Sequence, residues 1–119
     1  MEPFDQSLQS ILSDEKNVHT QMFADHAHYI ICGGENYVKG FTAWEVNRGQ
    51  ECDPVWTRPC KDGIRPDTPP KWFKGSWTEA ECENRSHFHT EYDYPSVKTM
   101  WHAAEWLEDN HDADNYFLW

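Results

Sequence analysis

Positive charge is scarce in this sequence: 10 Lys and Arg stand against 21 Asp and Glu in 119 residues, a formal net charge of −11. Nucleic-acid backbones are bound through cationic side chains, so nucleic acid is excluded as a principal partner. Long apolar runs are also missing. No stretch of about 18 apolar residues exists to cross a bilayer. The opening residues Met1-Glu2-Pro3-Phe4-Asp5 have neither the basic nor the hydrophobic region of a secretion signal, so no membrane partner is expected. C-x-x-C pairs are absent too. Cys32, Cys52, Cys60 and Cys82 are too sparse for the disulfide framework of a small secreted domain and read as free or structural thiols, with a Cys52–Cys60 bridge left open.

Aliphatic residues are few, whereas aromatics make up 15% of the chain, with seven Trp, six Phe and five Tyr. Apolar surface therefore comes from large rings, which suit grooves and interfaces as well as cores because Trp and Tyr also need a polar partner. The length is that of one domain, enough for one sheet with a few helices.

Three stretches follow from periodicity. In 1–32, Phe4, Leu8, Ile11 and Leu12 keep helical spacing between Pro3 and Glu15, and Val18 to Ala24 reads as a strand that delivers Asp25-His26-Ala27-His28 to its carboxyl end. In 33–95, all six glycines and six of the seven prolines accumulate, which predicts a long irregular excursion with a short piece of structure at Tyr37 to Phe41. In 96–119, Val97, Met100, Trp101, Ala104 and Leu107 recur at helical spacing behind Pro95 and Ser96. That helix should end near Asn110, and Asn115 to Trp119 reads as a buried strand that stops in mid-element. The rhythm is that of an α/β fold with a mostly parallel sheet flanked by helices, in which ligands gather beyond the carboxyl ends of strands. The strand ends near Asp25 and Trp119 would then face one crevice.

Several clusters carry candidate chemistry. Asp25, His26 and His28 place a carboxylate and two imidazoles together after a strand, able to hold an anion or a divalent metal, while the plainer alternative is a solvated polar loop. Cys52, Cys60, His87 and His89 could assemble a zinc site, but the cysteine spacing is looser than zinc motifs use. Trp44, Trp56, Trp72 and Trp77 alternate with Arg48, Arg58 and Arg65, which suits sugar rings and sulfate groups, or equally the anchoring of a long loop. Asn84-Arg85-Ser86 has the glycosylation-acceptor pattern, and Glu105, Glu108 and Asp109 read as a solvated helix face.

Taken in order, these segments resemble the sulfatase family of the alkaline-phosphatase-like superfamily. "PFDQSLQSILSDEKNVHTQMFADHAHY" is similar to the family's helix with a "tLpelLkeaGYhTa" pattern leading into a strand and a sulfate-contacting loop. "GGENYVKGFTAWEVNRGQECDPVW" resembles the following segment with its glycine pair, G-F-x-x-W and R-G-Q-E, and "YPSVKTMWHAAEWLEDNHDADNYFLW" resembles the unit before the family's D-x-F-D-P-H-E-P region.

The resemblance implies hydrolysis of a sulfate ester, with His28 matching the family histidine of G-K-W-H and His26 standing where the lysine does. Asp25 and Arg48 would border the substrate. The implied cofactor is a divalent metal, calcium, with its ligands elsewhere in the parent domain, and the implied partners are a sulfated small molecule or carbohydrate and the rest of that domain. Neither Cys60, followed by Lys61-Asp62-Gly63-Ile64, nor Cys82, followed by Glu83-Asn84-Arg85-Ser86, fits the C-x-P-S-R motif whose cysteine becomes formylglycine. The expectation is therefore an internal fragment whose nucleophile lies upstream of Met1 and whose later metal ligands lie beyond Trp119, inactive on its own. A related phosphate or phosphonate monoester hydrolase, and a non-catalytic carbohydrate- or partner-binding module, are the alternatives.

Overall fold

The computed structural model describes residues 5–30, 33–50, 53, 55–56 and 83–119. Helix α1 (Leu8–Ser10) widens directly into a π-helical stretch, Ile11–Glu15. Asn17 then takes φ +52°, a left-handed conformation that asparagine tolerates, and the Val18 N–H closes onto the Leu12 carbonyl at 3.0 Å. The widened turn changes which side chains point inward. Gln9 is buried and bonds the Tyr37 carbonyl at 3.4 Å, whereas Leu8, expected on the apolar face, is 59% exposed.

Strand β1 (His19–Ala24) matches the expected strand to within a residue. It lies in the middle of a three-stranded parallel sheet of order β2-β1-β3, and five of its six residues are buried or half-buried, because a central parallel strand is covered on both faces. Strand β2 (Ala43–Val46) pairs Gln21 with Ala43 through Ala24 with Val46, and β3 (Tyr116–Leu118) pairs His19 with Tyr116 through Gln21 with Leu118. The α/β class is thus present.

Two expectations need correction. The excursion is not irregular from its start: helix α2 (Glu35–Val38) and β2 both fall inside it. The amino end of β2 is fastened by side chains, with the Thr20 N–H donating to Thr42 Oγ1 at 3.1 Å and the Thr42 N–H to Thr20 Oγ1 at 2.9 Å. Strand β3 is an edge strand whose residues are only half-buried, and Trp119 beyond it is 64% exposed.

The two sheet faces differ in chemistry. Met22 and Ala24 of β1 form the core with Val38, and Tyr29, Phe41 and Val46 pack around it, while Phe41 stacks on Phe117 at 6.4 Å. On the other face lies helix α3 (Pro95–Asp109), which begins with proline at its first turn after an extended Tyr94 and ends at Asn110 as expected. Asn110 Nδ2 and His111 Nδ1 satisfy the Trp106 and Glu108 carbonyls, both at 2.8 Å. α3 meets the sheet through Thr99, His102 and Trp106: Thr99 Oγ1 donates to the Ala24 carbonyl at 3.3 Å, His102 pairs with Glu45, and Trp106 packs against His19 and Tyr116. The apolar stripe expected from spacing points the opposite way. Met100 is 70% exposed and Trp101 56%.

Candidate functional site

Immediately after β1 the chain makes one 3-10 turn, Ala27–Tyr29, in which the Tyr29 N–H bonds the His26 carbonyl at 3.1 Å and the Ile30 N–H bonds that of Ala27 at 3.0 Å. Ala27 is buried and plugs the turn, so His26 and His28 on either side of it both project outward. Their rings meet. His28 Nδ1 and His26 Nε2 are 3.0 Å apart, with ring centroids at 4.6 Å, and Tyr29 stands edge-on to His26 at 6.3 Å.

The glycine pair explains why the turn is held. A Cβ on Gly34 would sit 1.9 Å from the His28 carbonyl oxygen and 2.7 Å from the Tyr29 carbonyl carbon, so the chain crosses the histidine turn at backbone contact distance. Gly33, at φ +83°, supplies the left-handed step that allows it. From there α2 returns Tyr37 onto Tyr29, edge to face at 6.0 Å.

One nitrogen of each imidazole is committed to the bridge between the rings, which needs a single proton. His26 Nδ1 and His28 Nε2 are the outer nitrogens. Two adjoining imidazoles at a strand end are a combination able to donate hydrogen bonds to an anion. Asp25, half-buried, leaves β1 beside Asn47, the residue just past β2, whose N–H bonds the Ala24 carbonyl at 2.8 Å.

Arg48 also emerges at this end of the sheet, but most of its guanidinium is engaged. Nη2 and Nε donate to Asp53 Oδ1 and Oδ2 at 2.7 and 3.2 Å, and the same Asp53 Oδ2 accepts the Gly49 N–H at 2.9 Å. The hydrogen bond to Asp53 raises the Arg48 pKa above its ordinary value, opposed by burial and aided by the charge of Asp53. Asp53 itself is 1% exposed, and its carbonyl takes the Asn84 amide at 2.7 Å, while Asn84 Oδ1 accepts the Trp56 N–H at 3.3 Å. Arg48 and Gly49 are therefore both tied to the aspartate at position 53, and half of the Arg48 side chain is left at the surface.

Sequence reasoning missed Asp53, whose only signal was a carboxylate four residues after Gly49, and it read Asn84 as a glycosylation acceptor rather than as a partner of Asp53. Asn84 is fully buried with both ends of its amide used, so it is inaccessible as a glycosylation acceptor.

Other expected residues are dispersed. Trp44 and Trp56 are each about half exposed, at 50% and 45%, and Trp56 stacks on His87 at 4.2 Å. Trp72, Trp77, Arg58, Arg65 and all four cysteines lie outside the described residues, and with Cys52 and Cys60 goes the zinc alternative. Among the described residues no group of three His, Cys, Asp or Glu side chains is placed to hold a metal ion. Glu105, Glu108 and Asp109 are exposed, as a solvated face requires.

The strand order makes the region between β1 and β3 a switch point, since the chain passes from β1 to β2 on one side and reaches β3 on the other. The Phe23 N–H bonds the Trp119 carbonyl at 3.0 Å, so the carboxyl ends of β1 and β3 adjoin. A cleft of about 190 Å³ opens on the core face there, walled by Met22, Tyr29, Tyr37, Phe41, Phe117 and Trp119. Tyr29 forms part of this cleft and also touches the histidine pair. No protein-family model matches the sequence, and neither a curated protein nor a solved structure matches it.

Proposed function

We propose that this stretch belongs to a sulfate-ester hydrolase of the alkaline-phosphatase-like kind and supplies one sulfate-contacting loop and part of the wall of its substrate cleft. The observation that carries the reading is the His26–His28 pair, held at the carboxyl end of the central strand by the close crossing of Gly34. Sulfate oxygens accept hydrogen bonds, and imidazole N–H groups are donors suited to them.

In this reading Asp25 and the exposed part of Arg48 would also line the sulfate position, with Arg48 held by Asp53. The reading leaves the nucleophile and the ligands of a divalent cation, calcium, to parts of the parent outside this stretch. When bound, that cation would add electrostatic stabilisation of the sulfate oxygens. The stretch itself only binds and orients.

Hydrolysis of p-nitrocatechol sulfate by the full-length parent, compared with its His28→Ala variant, tests the assignment. Loss of 10²-fold or more in turnover is expected for an electrostatic contact of this kind, on the order seen when one oxyanion donor is removed. Unchanged turnover removes His28 from the site, and activity on p-nitrophenyl phosphate alone moves the reading to a phosphate or phosphonate monoester hydrolase. The half-exposed Trp44 and Trp56 favour a second reading, a carbohydrate-binding module. A parent reading frame lacking C-x-P-S-R upstream and D-P-H downstream would select it.

A further inference from the structure

Helix α3 is inverted relative to its sheet. Thr99, His102 and Trp106, spaced three and four residues apart, face β1 and β2, while Val97, Met100, Ala104 and Leu107 form a second stripe on the opposite side. The outward stripe has three-four-three spacing, that of successive a and d positions in a helix-pairing seam. Met100 is 70% exposed and Leu107 40%, Trp101 beside them is 56% exposed, and Tyr92 stands edge-on to Trp101 at 6.1 Å with 66% of its own surface open. A cleft of about 210 Å³ lies beside the stripe, between it and the sheet-facing side, bordered by Tyr92, Val97, Lys98, Trp101, His102 and Glu105.

The charges flanking the stripe are segregated by end. Lys98, in the first turns, is the only lysine or arginine on α3, whereas Glu105, Glu108 and Asp109 crowd the last. A parallel helix neighbour of the same sequence would set carboxylates against carboxylates. An antiparallel one sets Lys98 against them and lays the positive end of each helix dipole beside the acidic end of the other. We infer that the outward face of α3 pairs with α3 of a second copy of this chain, antiparallel, with Val97 against the partner's Leu107, Met100 against the partner's Ala104, and Lys98 within reach of the partner's Glu105 and the partner's Glu108.

Ala104 at the centre of the seam lets the two backbones approach closely. The exposed large apolar side chains on and beside this face are Met100, Leu107, Trp101 and Tyr92, far fewer than the residues of a standard interface of roughly 800 Å² per partner. The pair is therefore weak and concentration-dependent. Each copy also carries −11, so added salt strengthens the association by screening that repulsion, the reverse of what an interface held mainly by ion pairs shows. The inference does not depend on the activity proposed above.

Sedimentation velocity of the 119-residue chain, from about 10 µM to 1 mM and in low and high salt, tests it across the affinity range of weak dimers. A monomer–dimer equilibrium shifting toward dimer with salt is expected. Met100→Glu and Leu107→Glu, both on the outward face, should leave the circular dichroism spectrum unchanged and weaken dimerisation at least tenfold. Lys98→Glu should weaken it about threefold, as surface ion pairs do, and Lys98→Glu combined with Glu105→Lys should restore it. A monomer at every concentration overturns the inference, as does a dimer indifferent to Met100→Glu and Leu107→Glu, or one that the double charge swap fails to rescue.

Discussion

Replacing Gly34 with alanine asks whether the close crossing behind the histidine turn is what holds the candidate site together. The added methyl would lie 1.9 Å from the His28 carbonyl oxygen and 2.7 Å from the Tyr29 carbonyl carbon, and these are backbone atoms that cannot rotate aside as a side-chain tip would. Either the 3-10 turn shifts or the 33–34 crossing lifts off it. Inserting one methyl into a contact that must yield costs about 1–3 kcal/mol, and the backbone character of both neighbours puts this case near 2. In a chain of this size that corresponds to a fall of roughly 6–12 °C in the melting midpoint.

Gly33→Ala is the control, because its Cβ would meet only Asn36 Nδ2, at 4.0 Å. Its penalty comes from φ +83° alone, about 1–2 kcal/mol, with no displacement of the histidines. The assay is thermal unfolding together with long-range ¹H–¹⁵N spectra of the imidazoles. Gly34→Ala should shift the His26 and His28 ring resonances, and Gly33→Ala should leave them in place. A Gly34→Ala protein within about 0.5 kcal/mol of wild type, with both sets of resonances unmoved, would refute the argument that backbone contact positions the pair.

Asp53→Ala removes the acceptor of Arg48 and of the Gly49 N–H from a buried position and should lower stability in urea titration by about 2–3 kcal/mol; a loss below about 0.5 would mean the 48–53 loop closes without it. Asp93 accepts the Thr90 and His89 N–H groups at 2.7 and 2.8 Å, bonds that hold its carboxyl below the ordinary range. A carboxyl with a lowered folded-state pKa contributes stability above its unfolded value and loses it as pH falls through the folded one. The stability gap between wild type and Asp93→Asn should thus be constant near neutral pH and close on acidification, and a gap that widens in acid would reverse the sign of this argument.

Much of the backbone was legible because single residues announce it. Pro95 suits the first turn of a helix, Asn110 can finish one, and the run from Val18 to Ala24 has the β-branched and apolar content of a strand. β2 was not legible. It has four residues, its exposed Trp44 and half-buried neighbours give no alternation, and its alignment with β1 depends on the reciprocal Thr20–Thr42 clasp, a contact across 22 residues that no local window contains. The histidine turn was legible as a cluster, but its geometry was not, because the turn's shape depends on Gly34 passing behind it. Arg48 stood out by its charge, whereas the partner that decides what it can do, Asp53, is one carboxylate among 21 acidic residues.

Periodicity gave the length of α3 and the spacing of its stripe but not the direction of the stripe, because spacing is blind to what the facing surface offers. Here the facing surface is polar. His19 and Glu45 project from the sheet on the α3 side, and Asn47 bridges Glu45 to Thr99 at 2.9 and 3.1 Å, so the helix face that can answer them is the one bearing Thr99 and His102. Turning Met100 and Leu107 inward would strip the Glu45 carboxylate and the Asn47 amide of their partners, and each unsatisfied polar group costs about 1–3 kcal/mol if buried. That penalty is of the same order as the gain from burying two aliphatic side chains, about 1.5–3 kcal/mol each. A polar seam inside with an apolar stripe outside is therefore a stable arrangement for a small sheet.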